Sequence, residues 1–551
     1  TGDISENNGF RSNRSGGIWS EVASEAGSCS GQRCNQYRNC FLQKARAQAV
    51  NSHIVVVNHA LILSDIASDN AILGEYNNLI VDEAHNLEKA ASNYLGLEIS
   101  LWRIRNLCQR LHNKDSGETG ILKRLRNIKS EDGKRLADLI RKAVSDTNKL
   151  KAAAGDYFSA LNESARESAE YRRSNYAMKK RYGPNDEVIA AGSDFLSDLF
   201  ESMKNTRKNL NSLIQFILEN EIDDAEGLDF DLELNALADE ASRLHDDLAN
   251  LTEANEPDWV YWWELPKRDD AYISLYSAPI SPGDILNEKL YPLLDTAILT
   301  SATLTVENKF DYYRERLGLS SLEKNVDYIN FGSPFDFDKQ AIFGTPVFMP
   351  SPKQTDSFLE TLSEIIIDLS SDYKLGTLVL FTSYSQLLKV HELISSTLRQ
   401  QDIQVLAQGV EGSRSDLLRR FLKKKSVLLG TDSFWEGIDA PGEALEVLII
   451  AKIPFDVPTE PLIQARTEKL EREGRNPFME YTVPEAAIKL RQGIGRLIRS
   501  STDKGAVILC DSRITNTKWG SVFVSSLPGR LHHFRNKNEI RSYLSEMFKI
   551  N

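Results

Sequence analysis

The sequence has no apolar run that approaches the roughly 18 or more residues needed to span a bilayer, so we expect no membrane partner. Residues 1–14 are polar and lack the apolar core of a signal peptide. Cysteine is scarce, with five residues in a chain of 551, which excludes a disulfide scaffold and favours a reducing cytoplasm. The net charge of −13 excludes a surface that is basic throughout, although it is compatible with a local positive groove.

The remaining composition, with 41% hydrophobic and 26% charged residues, is typical of a globular protein with several domains. Continuous apolar strands alternate with helical patterns, which predicts an α/β fold with parallel sheets covered on both faces. The strands are predicted at residues 54–57, 79–81, 297–299, 377–381, 426–429, 447–450 and 506–509. Long charged helical patterns dominate between residues 93 and 265, which indicates an inserted helical domain.

The apolar run at residues 79–81 ends in Asp82-Glu83-Ala84-His85, so an acidic pair follows a buried strand. The carboxyl end of a strand is where α/β sheets bind their ligands. There Asp82 can hold Mg²⁺, and Glu83 can orient the water that attacks a γ-phosphate. The tetrapeptide therefore indicates the metal-and-water site of an ATP-driven nucleic-acid motor.

Two later segments also follow predicted strands and carry polar side chains. Thr300 and Ser301 begin a Thr-Ser-Ala-Thr-Leu segment, whose hydroxyls can hydrogen-bond the acidic pair and relay nucleotide state. The alternative is a capped turn in which these hydroxyls only satisfy backbone donors. Glu436 and Asp439 lie beside Trp435 in residues 430–439, a composition that favours a ligand-facing loop over an ordinary turn.

Gln492 begins the segment Gln-Gly-Ile-Gly-Arg-Leu-Ile-Arg, in which Arg496 and Arg499 are three residues apart. This spacing predicts two arginines on one helical face. Guanidinium groups stabilise the charge that develops on a phosphoryl group during transfer. The alternative is a solvated basic end of a helix.

Cys29, Cys34 and Cys40 form a cysteine cluster in a loop-rich segment. Structural zinc sites usually contain Cys-x-x-Cys pairs, and this cluster has none. Iron–sulfur clusters take four cysteines at varied spacing, so the segment is one thiolate short. Cys108 and Cys510 lie in a helical pattern and at a strand end, where buried core thiols are expected.

In this order the motifs resemble the DinG/XPD family of superfamily 2 DNA helicases, and the likeness covers the whole chain. The resemblance implies two RecA-like motor domains, with an iron–sulfur subdomain and a helical arch inserted into the first. It implies ATP-dependent unwinding of DNA in the 5′→3′ direction, with single-stranded or forked DNA as the partner, by a bacterial cytosolic protein acting in repair or replication. The implied domains are residues 1–50 (iron–sulfur), 51–92 and 266–345 (first motor), 93–265 (arch) and 346–551 (second motor).

The resemblance also implies roles for individual residues. Its catalytic set is Asp82, Glu83, His85, Arg496 and Arg499. Its nucleotide-contacting set is Thr300, Ser301, Glu436, Asp439 and Gln492. Its cofactors are ATP, Mg²⁺ at Asp82, and a [4Fe–4S] cluster held by Cys29, Cys34 and Cys40.

The sequence departs from the family pattern in two places. The phosphate-binding loop Gly-x-x-x-x-Gly-Lys-[Ser/Thr] is absent, and the Gly133-Lys134 pair lacks both the first Gly and the hydroxyl residue. The first cluster cysteine is also absent. Both belong upstream of Thr1 in the family, so we expect an amino-terminally truncated chain that is inactive by itself.

Single-strand motors combine positive grooves with aromatic stacking platforms. Tyr37, Arg38, Phe41 and Lys44 offer both beside the cysteine cluster and are the predicted DNA contacts of a monomer. One alternative is a non-hydrolysing, single-strand-binding or regulatory protein derived from a helicase. Another is an RNA helicase of the Asp-Glu-Ala-His type, which the cysteine cluster and the helical insertion disfavour.

Overall fold

The computed structural model describes residues 29, 31–34, 36–68, 72–114, 117–128, 130–173, 177–222, 229–322, 326–435 and 442–549. The chain divides into two compact units. The first unit comprises Thr1–Tyr76, Lys89–Ser281 and Glu460–Leu462. The second comprises Asn77–Glu88, Pro282–Thr459 and Ile463–Asn551. The domain boundaries expected from the sequence stay a prediction.

The strands, in chain order, are β1 (Asn78–Val81), β2 (Leu97–Ser100), β3 (Met178–Tyr182), β4 (Trp259–Leu265), β5 (Ser274–Pro279), β6 (Thr296–Leu299), β7 (Ala341–Pro346), β8 (Thr377–Leu380), β9 (Gln404–Ala407), β10 (Ser426–Gly430), β11 (Val447–Ile450), β12 (Gly505–Leu509) and β13 (Leu531–Phe534).

The helices of the first unit, together with α3, which begins in the second, are α1 (Phe41–Val50), α2 (His59–Ala67), α3 (Leu87–Tyr94), α4 (Leu101–Leu111), α5 (Ile121–Arg126), α6 (Gly133–Glu167), α7 (Ala169–Arg173), α8 (Glu187–Ala190), α9 (Ser193–Glu219) and α10 (Phe230–Glu253).

The helices that follow are α11 (Pro282–Lys289), α12 (Asp311–Arg316), α13 (Phe337–Gln340), α14 (Thr355–Tyr373), α15 (Tyr384–Gln400), α16 (Arg414–Lys423), α17 (Asp432–Trp435), α18 (Pro461–Arg472), α19 (Val483–Ile494), α20 (Arg513–Asn516), α21 (Gly520–Ser525) and α22 (Lys537–Phe548).

The first unit is built on the long helices α6, α9 and α10 and an antiparallel sheet of order β2-β5-β4-β3. Apolar residues at helical spacing give each long helix a buried stripe, which packs into one core with the inner face of the sheet. The Asp132 carboxylate caps the first turn of α6 by accepting a hydrogen bond from the backbone N–H of Arg135. The expected long helices between residues 93 and 265 are therefore confirmed.

The second unit contains two parallel sheets among the described residues. The larger has the order β13-β7-β12-β11-β8-β10-β9, and the smaller pairs β1 with β6. The central strands β8, β10, β11 and β12 are buried along their whole length, because helices cover both faces of the sheet. The α/β class and the strands expected from residue 79 onward are confirmed.

One expected strand is wrong. Residues 54–57 have no strand structure, and Ile54 and Val56 are 82% and 90% exposed. An apolar run becomes a strand only when another strand hydrogen-bonds to it, and among the described residues this segment has no pairing strand.

Among the described residues, no helix is long and apolar enough to span a bilayer.

Adding a side chain at two glycines should change the stability of the fold in opposite directions. A Cβ at Gly344 in β7 would lie 1.9 Å from Cε2 of Phe534, whereas a Cβ at Gly155 in α6 would meet nothing within 4 Å. We therefore expect Gly344→Ala to lower the free energy of unfolding by about 1–3 kcal/mol through overpacking. Gly155→Ala should raise it by about 0.5–1 kcal/mol through helix propensity. Urea unfolding of both variants measures the two effects, and equal signs would contradict the packing at Gly344.

Candidate nucleotide-hydrolysis site

The parallel pairing of β1 with β6 places the acidic pair beside the Thr-Ser-Ala-Thr segment. The register Val81↔Leu299 aligns the carboxyl ends of the two strands. The ladder continues beyond the strands, since Thr300 N donates to Val81 O at 2.8 Å and Ala84 N donates to Thr300 O at 3.0 Å. Two segments more than 200 residues apart in sequence therefore leave the same sheet edge together.

Ser301 connects the two segments through its hydroxyl. Its Oγ lies 2.7 Å from Nδ1 of His85 and donates to Oε2 of Glu83 at 3.2 Å. A serine hydroxyl has one proton, so donation to Glu83 requires Nδ1 of His85 to carry its own proton. The backbone N–H of Thr303 also donates to Ser301 Oγ, at 3.2 Å. The Ser301 hydroxyl therefore both satisfies a backbone donor, as in a capped turn, and contacts Glu83 of the acidic pair.

Glu83 has a strained backbone. Its φ of 50° lies in the left-handed region, which costs a non-glycine residue about 1–3 kcal/mol. The Asp82 carboxylate stabilises this turn, because its Oδ1 accepts a hydrogen bond from Glu83 N at 2.9 Å. The Glu83 side chain remains 58% exposed, so both carboxylates are open to a ligand at the sheet edge.

Arg491 also contacts the chain that follows β6, although it was not among the site residues predicted from the sequence. Its guanidinium donates to Thr305 O at 3.0 Å, to Thr305 Oγ1 at 3.3 Å and to Ala302 O at 3.3 Å. Burial lowers the pKa of Arg491, with a smaller opposing effect from Tyr313. The one feature of the sequence that could have indicated Arg491 is its position next to the predicted site residue Gln492. The contact fixes α19 against the Thr-Ser-Ala-Thr segment.

The prediction that Arg496 and Arg499 lie on one helical face is wrong. Helix α19 ends at Ile494, and Gly495 is its C-cap, so both arginines lie in the turns that follow. Arg496 Nε donates to Gln492 O at 3.2 Å, and Arg499 Nε donates to Arg496 O at 3.3 Å. Glycine has low helix propensity, so Gly493 and Gly495 weaken the helix at this end.

Trp435 packs directly against α19. A Cβ at Gly493 would lie 3.1 Å from Cε3 and Cζ3 of the indole, a contact that only a small residue permits. The indole Nε1 donates to Phe381 O at 3.2 Å, and the side chain is fully buried. Glu436 and Asp439, which follow Trp435 in sequence, lie outside the described residues.

Cys29, Cys34 and Cys40 lie around the start of α1 and are half-buried free thiols. Gln43 Nε2 donates to Cys29 Sγ at 3.5 Å. Within the described ranges, no three His, Cys, Asp or Glu side chains converge in a way that could hold a metal ion. The iron–sulfur cluster expected at these three cysteines stays a prediction.

The predicted DNA contacts lie beside these cysteines. Tyr37 is half-buried and Arg38 is exposed. Phe41 on α1 is 61% exposed, and Lys44 Nζ lies 6.0 Å from the centroid of its ring. The segment thus presents an exposed aromatic ring next to a cation.

The chain is similar to known helicases in sequence. A profile described as the helicase C-terminal domain matches residues 366–530. The ATP-dependent DNA helicase YoaA of Haemophilus influenzae is 31% identical over 529 residues, which cover 95% of this chain and 74% of the relative. The chain belongs to the DinG/YoaA family of ATP-dependent DNA helicases. YoaA of Escherichia coli is 30% identical over 93% of this chain and 72% of the relative.

A Bacillus subtilis relative named 3'-5' exonuclease DinG is 30% identical over 99% of this chain, which spans 58% of that protein. Among solved structures, S. tokodaii Xpd4 matches 83% of this chain and 75% of its own, with a TM-score of 0.44 and 16% identity. The family expected from the motifs is confirmed. The candidate site of this DinG/YoaA chain combines the acidic pair, Ser301 and Arg491.

Arg491 should hold the Thr-Ser-Ala-Thr segment in place. We expect Arg491→Met to lower the free energy of unfolding by about 1.5–3 kcal/mol, the usual contribution of hydrogen bonds to a charged group. Amides of residues 300–305 should then exchange faster with deuterium. Arg472→Met, at an exposed position of α18, is the matched control. Unchanged exchange at residues 300–305 would remove this role from Arg491.

The five thiols should fall into two classes. Burial raises the pKa of Cys108 to about 12 and raises that of Cys510 further, so neither thiol forms thiolate near neutral pH. At pH 8 we expect a chromogenic disulfide reagent to label Cys29, Cys34 and Cys40 in the native chain, and the other two only after unfolding. Rapid native labelling of all five would contradict the burial of α4 and of the end of β12.

Proposed function

We propose that this chain is the motor part of an ATP-dependent DNA helicase that binds single-stranded or forked DNA and unwinds duplex DNA 5′→3′ in bacterial repair or replication. The supporting observation is the contact of Ser301 with both Glu83 and His85 at the shared carboxyl edge of β1 and β6. A motor needs its water-orienting carboxylate coupled to the segment that reports nucleotide state. We further propose that the helicase is a cytosolic monomer.

Asp82 would hold the Mg²⁺ that accompanies ATP and neutralises phosphate charge, and in the proposed reaction Glu83 accepts a proton from the attacking water. The water oxygen bonds to the γ-phosphorus as the bond to the β–γ bridging oxygen breaks, which releases ADP and phosphate. Arg496 and Arg499 supply positive charge for the transferring phosphoryl group, and Gln492 contacts the nucleotide. Thr300, Glu436 and Asp439 complete the proposed nucleotide contacts.

The 551 residues contain no Gly-x-x-x-x-Gly-Lys-[Ser/Thr] loop. Such a loop supplies the lysine that contacts the β- and γ-phosphates and the hydroxyl that contacts Mg²⁺. We therefore propose that the chain alone binds single-stranded DNA, through Tyr37, Arg38, Phe41 and Lys44, without turning over ATP. The [4Fe–4S] cluster on Cys29, Cys34 and Cys40 stays a prediction, and no step of the reaction depends on it.

The test compares the 551-residue chain with the same chain extended by its upstream reading frame. We expect salt-dependent binding of single-stranded DNA by both proteins, and DNA-stimulated ATP turnover only by the extended one. Turnover by the shorter chain would contradict the need for an added phosphate loop. DNA binding without turnover by both would instead support a non-hydrolysing binding protein.

Glu83 can be tested in the extended protein. We expect Glu83→Gln to reduce ATP turnover by about 10²–10⁴-fold, the usual contribution of a general base, and to leave nucleotide binding intact. Glu360→Gln, at an exposed position of α14, should have no effect. Turnover within a factor of about three of the unmodified protein, well below that general-base range, would exclude Glu83 as the water-orienting group.

A further inference from the structure

Four charged side chains form a cluster on helices that adjoin the candidate site in sequence. This buried charge cluster comprises Glu88, Arg316, Arg466 and Glu485. Arg316 pairs with Glu88 and lies 3.1 Å from Oε1 of Glu485. Arg466 pairs with the other oxygen of Glu88 at 2.7 Å. The side chains of Glu88, Arg316 and Arg466 are 9%, 11% and 11% exposed, so water screens these charges poorly.

Two aromatic rings enclose the Arg316 guanidinium. Its central carbon lies 4.9 Å from the ring centroid of Tyr312 and 4.6 Å from that of Tyr481. Arg316 donates to the Tyr312 hydroxyl, which in turn donates to Glu485. Each contact restricts the rotation of the guanidinium plane, so Arg316 is held in one orientation.

The two carboxylates respond differently to this environment. Burial alone would raise the pKa of Glu88, but Arg316 and Arg466 outweigh burial and lower it. For Glu485, burial outweighs the attraction of Arg316 and raises the pKa. Glu88 is therefore the carboxylate that the two arginines hold ionised.

The cluster joins the helix that follows the acidic pair to the helix that carries Arg491. Glu88 lies in the first turn of α3, five residues after Glu83. Glu485 lies in the first turn of α19, the helix that carries Arg491 and Gln492. Arg316 ends α12 and contacts both carboxylates, while Arg466 on α18 contacts Glu88.

Arg491 makes a second connection on the same helix. It lies six residues after Glu485, about 9 Å along the axis at 1.5 Å per residue, and contacts the segment after β6. Two fixed points along one helix define both its position and its direction. Loss of Arg316 removes the polar contact at the start of α19, while the Arg491 contact and the packing of Trp435 against Gly493 remain near its end.

We propose that Arg316 is a positioning residue of the motor, which sets the distance between the acidic pair and the helix that carries Gln492. This inference rests on the proposed function and deepens it, because it says what aligns the two halves of that site. A merely stabilising role explains the cluster poorly, since well-packed apolar side chains often stabilise as well as a buried ion network does. Directional pairing of Arg316 with two carboxylates supplies orientation, which apolar packing does not.

The first experiment measures hydrogen–deuterium exchange of the 551-residue chain at neutral pH. We expect Arg316→Met to speed exchange at least tenfold in residues 84–95 and in α19. Exchange in α14 and α22, on the larger sheet, should change less than twofold. Arg316→Lys keeps the charge but not the forked geometry and should give an intermediate effect. Arg314→Met, an exposed position on the same short helix, is the matched control.

A double-mutant cycle distinguishes two possibilities. Arg316 either couples Glu88 to Glu485 or forms two ion pairs that act independently. Glu88→Gln and Glu485→Gln should have non-additive effects on exchange in α19 when Arg316 is present, and additive effects in the Arg316→Met background. Additivity in both backgrounds overturns the proposal. So does acceleration spread evenly over the whole second unit, which indicates a structural role alone.

In the extended protein, Arg316→Met should lower the kcat of DNA-stimulated ATP turnover at least tenfold with less than a threefold change in KM for ATP. An unchanged kcat alongside the exchange effect overturns the positioning role. If the unmodified extended protein lacks turnover, the proposed function fails, and the exchange and cycle results still decide whether Arg316 orients α19.

Discussion

The pairing of β1 with β6 is the constraint on which the candidate site depends. Each strand has four residues, yet the parallel register brings together two chain segments separated by the whole helical insertion. Parallel strands end at a common edge, so their polar extensions meet without any loop having to reach across the sheet. The strained turn at Glu83, the Ser301 contacts and the Arg491 hydrogen bonds all follow from that shared edge.

Much of this arrangement could be predicted from local patterns in the sequence. Apolar runs followed by acidic or hydroxyl residues identified β1 and β6 and the polar groups after them, because ligand position in parallel sheets follows strand direction. The motif order also identified the family, which the YoaA relatives confirm. The long helical patterns predicted between residues 93 and 265 correspond to α6, α9 and α10, since continuous amphipathic patterns determine long helices more strongly than short ones.

The rest depends on contacts between distant residues. Nothing near Arg491 in sequence indicates that its partners are Ala302 and Thr305, and nothing near Glu88 indicates two arginines more than 220 residues away. The apolar run at residues 54–57 shows the converse, since a correct local pattern produced no strand without a partner. The early end of α19 at Gly495 shows that a motif spacing predicts neighbours in sequence, but not that the helix continues through them.

The left-handed backbone at Glu83 restricts which residues this position can hold. Asn and Asp adopt that conformation most readily among non-glycine residues, but their side chains are one methylene shorter than that of Glu. Glycine would relieve the strain and remove the carboxylate. Backbone preference and side-chain reach thus oppose each other at a single residue, so a variant chosen only for stability would tend to lose or shorten the exposed carboxylate at this sheet edge.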